Sequence, residues 1–228
     1  MRLSFLALLL VAAPAVAQPA PAAVVEAWLA DWRRSARGVV GVDAREAAEW
    51  TIDGPRGRTV VEAEGRVRYT RGRPERDLAR VRVNGREVAA EQGQSQGQRW
   101  RRAFGPAGRE VHAPPLLPVA VLDYAAPSGV QADRLDGVDA WRVALDMRAD
   151  RAEAWFTRSG DPRLLRLRVE GARPGGGRIV RDVRYARVRG LDVPAEAETT
   201  FTVRQRRRLR EYLVTLRAAA TYTDHTLR

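Results

Sequence analysis

The chain of 228 residues contains no cysteine and no lysine, so every one of its 40 basic residues other than histidine is an arginine. Without cysteine it can form no disulfide framework and no thiolate nucleophile, and it cannot be anchored by a lipid on a cysteine. Without lysine it cannot form a Schiff base or supply the lysine of a Walker loop. These two absences exclude several large classes of enzyme.

Histidine is scarce as well, with only His112 and His225. Neither has a second histidine or a cysteine at ligand spacing, so the sequence predicts no metal site. Three acidic residues, Asp133, Asp136 and Asp139, lack the pattern of a calcium loop and favour a turn before a strand. We therefore expect no metal and no other cofactor.

The formal net charge is +12, from 40 basic and 28 acidic residues. Exclusive use of arginine beside abundant alanine, glycine, valine and proline is typical of GC-rich coding. The charge is therefore weak evidence for a polyanionic partner.

The first 17 residues have the pattern of a secretory signal peptide. Arg2 precedes an apolar run, and Ala15-Val16-Ala17 forms a small-x-small cleavage site. The run is short and interrupted by proline, which argues against a membrane anchor. We predict cleavage after Ala17, a single domain over 18–228, and a periplasmic location.

An amphipathic helix is predicted directly after this segment. Its apolar residues are Val24, Val25, Trp28, Leu29 and Trp32. They recur at helical spacing, with a proline near the start and a glycine after the end.

From about residue 46 the apolar period changes to two, which indicates strands with one buried and one solvated face. The alternation is found in five segments: 61–69, 80–83, 141–147, 165–169 and 195–203. The apolar parity changes between Tyr185 and Ala186, which predicts a bulge or a strand buried on both faces. The segment 112–129 is apolar and rich in proline, and we expect a short helix or lid between two strands. The sequence thus predicts a mainly β, α+β fold with a curved antiparallel sheet.

Gly93-Gln94-Ser95-Gln96-Gly97 matches the G-x-S-x-G pattern of serine hydrolases. A nucleophile elbow needs a buried strand, a sharp turn and then a helix. The flanking residues instead favour a flexible hairpin tip followed by a strand and a turn. Ser95 is therefore not predicted to be a nucleophile, and no catalytic residue is assigned.

The densest basic run extends from Arg204 to Glu211. A charged hairpin turn between strands at 195–203 and 209–217 is the simplest interpretation. Contact of Arg204, Arg206, Arg207 and Arg208 with anionic lipid headgroups is an alternative, since each such arginine contributes about 1 kcal/mol near a membrane. No aromatic platform accompanies the run, so no nucleic-acid partner is predicted.

Four stretches between residues 115 and 203 form a pattern: "LLPVAVLDYAAPSG", "LDGVDAWRVALDM", "AEAWFTRSGDPRLLRLRVEG" and "RGLDVPAEAETTF". In this pattern the chain resembles the periplasmic lipoprotein-carrier superfamily, the LolA-like proteins that sort outer-membrane lipoproteins. It implies an unclosed antiparallel β-barrel around a helix, with a helical lid and an apolar cavity for acyl chains. It carries over no catalytic residue and no specific ligand contact.

Our first hypothesis is a monomeric, non-enzymatic periplasmic carrier that binds a lipid or an acylated protein and contacts the membrane surface transiently. The alternative is an envelope-stress sensor, or a module that binds a polyanion or an envelope protein through its arginine-rich outer face. An ordinary hydrophobic core is the simpler interpretation of each candidate cavity residue. The candidates are Trp28, Trp32, Leu116, Leu117, Leu122, Trp141, Val143, Phe156, Leu165, Leu167 and Phe201.

Overall fold

The computed structural model describes residues 18–55, 57–70, 73–147, 150–207 and 210–228. The predicted signal peptide, 1–17, lies outside them. The helices are α1 (Pro21–Ser35), α2 (Ala90–His112) and α3 (Val119–Leu122), with a 3-10 turn at Pro174–Gly176. The strands are β1 (Gly41–Gly54), β2 (Gly57–Thr70), β3 (Arg73–Val83), β4 (Arg86–Val88), β5 (Ala126–Leu135), β6 (Val138–Asp146), β7 (Asp150–Thr157), β8 (Leu164–Arg173), β9 (Gly177–Val188), β10 (Leu191–Arg207) and β11 (Arg210–Leu227). No helix in these ranges is both long enough and apolar enough to cross a membrane.

All eleven strands form one sheet in the order β4-β3-β2-β1-β11-β10-β9-β8-β7-β6-β5. Every pairing is antiparallel, and β4 and β5 form the two edges, so the sheet is not closed into a barrel. The first strand pairs with the last, and this pair joins two meanders in the middle of the sheet. The predicted antiparallel sheet, unclosed as the resemblance implied, is confirmed.

The predicted amphipathic helix is α1, which begins at Pro21. Proline suits the first turn of a helix, because the N–H it lacks has no partner there. Val25, Trp28 and Leu29 are buried at helical spacing, and α1 contacts β5, β6 and β10.

Alternating burial along the strands follows the predicted pattern most clearly in β2. Val61, Ala63 and Val67 are buried, whereas Glu62 and Glu64 are exposed.

A bulge occurs beside Tyr185, as predicted, but it lies in β10 and not in β9. The register between β9 and β10 shifts between Pro194 and Glu196, which pair with Tyr185 and Arg184. The extra residue is therefore Ala195. This bulge in β10 accounts for the change near Tyr185 in which residues of β9 face the core.

The prediction of a hairpin tip at Ser95 followed by a strand was wrong, because residues 90–112 form α2. Gly105 has non-helical backbone angles (φ 58°) and, with Pro106, kinks this helix. The chain passes here from edge strand β4 to the opposite edge strand β5, so it has to cross the sheet. Ala107 and Val111 of α2, one helical turn apart, are buried in a hydrophobic cluster with residues of the sheet.

The apolar segment contains the predicted short helix, α3. It lies between α2 and β5, however, and not between two strands. Leu117 and Leu122 are buried in the same hydrophobic cluster as α1.

Among the described residues, the core consists of three hydrophobic clusters on the inner face of the sheet. The largest packs beneath α1 and α3, and two smaller ones pack beneath α2 and share Ile52, Phe104 and Ala218. The helices therefore divide the inner face into an α1/α3 end and an α2 end.

Candidate functional site

A buried carboxylate fixes α1 to the sheet. Trp28 Nε1 donates a hydrogen bond to Asp192 Oδ2 at 2.7 Å, and the backbone N–H of Leu164 donates to the same oxygen at 2.8 Å. Arg187 bridges Asp192 to Asp31, which lies one turn further along α1. One face of α1 is thereby held in a fixed orientation at its end of the sheet.

A second buried ion pair lies near the end of α2. The Arg76 guanidinium contacts both carboxylate oxygens of Glu46, and the Tyr222 hydroxyl donates to Glu46 Oε1 at 3.0 Å. Arg76 also donates to the His112 carbonyl oxygen and lies over the Trp50 ring, 4.9 Å from its centroid. The His112 ring stacks on the same indole, at 4.9 Å between centroids.

Further arginines hold the last turn of α2. Arg181 donates to the Glu110 carbonyl oxygen and, through Nε, to Thr199 Oγ1 at 3.1 Å. Arg173 pairs with the carboxylates of Glu110 and Asp150, both at 2.7 Å. Burial lowers the pKa of Arg181, opposed by the nearby Glu110. The space left under this end of α2 is only about 10 Å³, so the inner face is filled here.

A much larger cleft, of about 480 Å³, opens at the α1/α3 end. It lies between the last turn of α1, the first residues of β1 and the α3 segment. Asp123 is the one charged side chain among the described residues of its wall. The lining is Trp32, Ala36, Val39, Val40, Gly41, Val42, Tyr69, Leu117, Val119, Ala120, Asp123, Tyr124 and Leu191.

Large apolar side chains are exposed at this cleft. Val40 is 76% exposed and Tyr124 is 85% exposed, and both belong to its lining. Leu116, next to the lining residue Leu117, is also exposed. An ion pair between Arg33 of α1 and Asp123, at 2.6 Å, joins α1 to the end of α3. The cleft thus has an apolar wall and an apolar rim, and an ion pair connects its two helices.

Two buried hydrogen-bond donors of the cleft residues have no partner among the described residues. They are Trp32 Nε1 and the Tyr69 hydroxyl. Burial raises the pKa of Tyr69 well above its ordinary value, and the charge of Glu46 raises it further. The hydroxyl therefore stays protonated and can donate.

The structure brings together seven of the candidate cavity residues in the cluster beneath α1 and α3: Trp28, Trp32, Leu117, Leu122, Val143, Phe156 and Leu167. Of these, Trp32 and Leu117 line the cleft. Trp28, Val143 and Phe156 have no exposed surface and are core residues here.

Four candidates lie elsewhere. Phe201 belongs to the cluster beneath α2, and Leu116 is exposed. Leu165 lies at a bulge opposite Trp155 and Phe156. The alternation of the sequence predicted that Leu165 is buried, but the bulge places Leu164 in the buried position instead. Trp141 is half-buried outside the three clusters, with the Arg158 guanidinium 4.6 Å from its ring centroid.

Most of the cleft wall was missed by the sequence analysis. The stretch Val39-Val40-Gly41-Val42 forms its floor and rim, and a run of apolar residues directly after a helix end was the available signal. Tyr69 had been recognised only as an inward-facing strand residue.

The remaining sequence candidates are Ser95 and the side chains considered as metal ligands. Ser95 lies in the second turn of α2, and its hydroxyl donates to the Gln92 carbonyl oxygen at 2.7 Å. An elbow serine instead sits on a sharp turn between strand and helix. Within the described ranges, no group of three histidine or acidic side chains is arranged to hold a metal ion.

The basic run lies at the β10–β11 hairpin, where the predicted pairing of strands is confirmed. Arg204 is exposed on β10. Arg208 and the side chains of Arg206 and Arg207 lie outside what the structure describes, so their contact with headgroups stays a prediction.

The outer face carries an acidic groove of about 370 Å³ at the centre of the sheet. Alanines form much of its lining, two arginines lie on β3, and its carboxylates are those of Glu49, Glu62, Glu64, Glu196 and Glu198. This part of the outer face is therefore not a basic surface.

No protein-family model matches the sequence, and no curated protein matches it significantly. Among solved structures, the chain is similar to a putative outer membrane lipoprotein-sorting protein domain from Vibrio parahaemolyticus (10% identity, 90% of this chain and 92% of that one, TM-score 0.44). It is also similar to a DUF1329 family protein from Desulfovibrio piger (8%, 92% and 94%, 0.38) and to the lipoprotein LppX of Mycobacterium tuberculosis (10%, 90% and 97%, 0.31). The first of these structures carries the description, lipoprotein sorting, of the superfamily that the sequence resembles.

Proposed function

We propose that this protein binds an acyl chain of a lipid or of an acylated protein in the cleft between α1, the start of β1 and α3, and that it acts as a periplasmic carrier without chemistry. The observation that carries the proposal is the cleft itself. Its volume, about 480 Å³, falls in the range of small-molecule sites, and its wall is mostly apolar.

The energetics favour such a ligand. Each methylene group removed from water contributes about 0.8 kcal/mol, so a partly enclosed chain outweighs several exposed ion pairs at about 0–1 kcal/mol each. Val40 and Tyr124 are exposed at this cleft, and contiguous exposed apolar surface often marks a binding site. An acyl chain would cover both side chains.

The filled α2 end limits where the ligand can lie. Under the last turn of α2 only about 10 Å³ is left, and Arg76 and Arg181 bind that turn through its carbonyl oxygens. The proposal therefore places the acyl chain at the α1/α3 end.

The test is native mass spectrometry with lipid extraction, on protein exported to a periplasm and purified gently. A stoichiometric adduct that resolves to a lipid or an acylated peptide is expected. In the Ala120→Trp variant a large side chain occupies the cleft, and the adduct should be lost. Ala132→Trp, at an exposed position of β5 outside the cleft lining, should retain it. An apo mass that does not change when lipid is added would refute the proposal.

The alternative, a sensor or polyanion-binding module, has less support from the outer face. Several arginines there pair with carboxylates, as Arg178 does with Glu170 and Arg142 with Glu153. If the protein takes up no lipid but binds heparin in a salt-dependent manner, the alternative replaces the carrier.

A further inference from the structure

Exposed apolar side chains are concentrated around the mouth of the cleft. Among the described residues, five large apolar side chains are exposed, and three of them lie here. Val40 and Tyr124 belong to the cleft lining, and Leu116 precedes the lining residue Leu117. We call Val40, Leu116 and Tyr124 the apolar patch. Contiguous exposed apolar surface of this kind marks a site of contact with a protein or a membrane.

Exposed arginines flank the apolar patch. Arg33 of α1 reaches Asp123 in the wall of the cleft. Arg37 is exposed in the turn that follows α1, between two residues of the cleft lining. Arg228 is exposed as well, and its carbonyl oxygen accepts from the Val40 N–H at 2.6 Å. The patch thus has cationic neighbours on its α1 side and on its β1 side.

The carboxylates that pair with these arginines are less exposed than the arginines themselves. The Asp123 side chain is 36% exposed against 62% for Arg33, and Asp43 is 18% exposed against 52% for Arg228. Guanidinium groups therefore lie outermost and present positive charge around the patch. An arginine near an anionic membrane surface binds favourably, and a tyrosine ring suits the interface between headgroups and acyl chains.

The sheet places the cleft and the densest basic run at opposite ends. Leu191, the first residue of β10, lines the cleft, whereas Arg207 at the end of β10 pairs with Arg210 across the hairpin. At about 3.3 Å per residue, the two ends of this strand are about 50 Å apart along its length. A membrane that meets the mouth of the cleft end-on therefore does not reach the hairpin.

We propose that the mouth of the cleft docks on an anionic lipid bilayer, with the apolar patch inserted among the headgroups and the flanking arginines paired with lipid phosphates. This inference rests on the proposed function and gives the acyl chain a route, because a chain that leaves the bilayer enters the cleft without crossing water. The bound chain then covers Val40 and Tyr124, so the loaded protein has less apolar surface to insert.

The absence of cysteine allows docking to be located with a single environment-sensitive label. A fluorophore on Val40→Cys is expected to brighten and to shift to the blue when mixed vesicles of phosphatidylcholine and phosphatidylglycerol are added. The same label on Leu213→Cys is the matched control, because Leu213 is an exposed apolar residue that pairs with Arg204 near the hairpin. Its spectrum should not change.

Substitutions separate docking at the cleft from a general attraction of the basic protein to anionic lipid. In co-sedimentation with the same vesicles, Tyr124→Ser is expected to weaken binding about tenfold and Leu213→Ser to leave it unchanged. Arg37→Gln should weaken binding about fivefold, equivalent to about 1 kcal/mol. Arg86→Gln, at an exposed position of β4 outside the cleft lining, should have little effect.

The failures of the two proposals are distinguishable. Equal losses in Arg37→Gln and Arg86→Gln, or a label response at Leu213 and not at Val40, would overturn the docking surface. A protein that does not bind these vesicles would do the same, and a lipid adduct in native mass spectrometry would then leave the carrier proposal standing. Docking through the cleft mouth by a protein that takes up no lipid would instead refute the carrier and uphold the docking surface.

Discussion

Trp28 on α1 and Asp192 on β10 are 164 residues apart in sequence and are joined by a buried hydrogen bond of 2.7 Å. The Asp192 side chain is only 1% exposed, and it also accepts from the Leu164 N–H on β8 and from Arg187 on β9. One carboxylate thus connects the helix beside the cleft to three neighbouring strands.

Replacing this carboxylate should destabilise the fold strongly. Asp192→Ala leaves Trp28 Nε1 and the Leu164 N–H without their acceptor and deprives Arg187 of one of its two carboxylates. We expect a loss of about 3–5 kcal/mol in the free energy of unfolding, measured by urea denaturation.

The control for this substitution is Glu64→Ala. Glu64 forms an exposed ion pair with Arg80, so its loss should cost about 0–1 kcal/mol. Equal small losses in both variants would show that the Asp192 network does not fix α1.

Gly65 of β2 is required because the backbone of the neighbouring strand β3 approaches it closely. The register between β2 and β3 shifts at Gly65, and a Cβ atom added there would lie 2.2 Å from the backbone oxygen of Asp77. Gly65→Ala should therefore cost about 1–3 kcal/mol, because the backbone of β3 has to move.

Gly129, at a register shift in β5, is the matched case. A Cβ atom there would meet only the Ala144 side chain, at an ordinary 3.8 Å. Gly129→Ala is expected to be neutral or to stabilise by up to about 1 kcal/mol, since it restricts the unfolded chain. Thermal unfolding of the two variants side by side measures the difference, and equal melting temperatures would contradict the close approach at Gly65.

Alkaline pH should destabilise the protein through three inward-facing tyrosines. Burial raises the pKa values of Tyr69, Tyr185 and Tyr222 above their ordinary value of 10.0. The unfolded state then releases these protons at lower pH than the folded state does. The stabilisation is full below about pH 10 and is lost as the pH rises beyond it.

Tyrosinate absorbance and circular dichroism followed together during an alkaline titration check this prediction. Ionisation of the three tyrosines should coincide with loss of the fold. Complete ionisation at about pH 10 with the fold intact would contradict it.

Much of the fold could be predicted because strands and helices impose local periods. The alternation of Val61, Ala63 and Val67 identifies β2 correctly, and the helical spacing of Val25, Trp28 and Leu29 identifies α1. These patterns depend only on near neighbours in sequence.

The failures arose where distant parts of the chain decide the structure. Gly105-Pro106 has the composition of a turn, but the chain must cross from one sheet edge to the other, and a kinked helix carries it. The position of Leu165 likewise depends on a bulge against β7, which no local period reveals.

The cleft could be predicted only in part, for a similar reason. Its existence was implied by the resemblance, and Trp32 and Leu117 were among the predicted residues. Val40, Tyr69 and Leu191 come from three separate segments, and only the sheet order brings them together. The unpaired state of Trp32 Nε1 depends on the absence of a nearby acceptor, which a sequence does not display.

The pairing of β1 with β11 has a consequence for how the chain reaches its native state. Val42 pairs with Leu227, so the central ladder of the sheet joins segments that are far apart in sequence. Until β1 and β11 pair, both strands present an unpaired backbone edge, and contacts of such long range form slowly. Late pairing of these two strands would prolong the time for which the chain stays loosely structured. In that state a polypeptide can still be threaded through a narrow pore or captured by a holding chaperone.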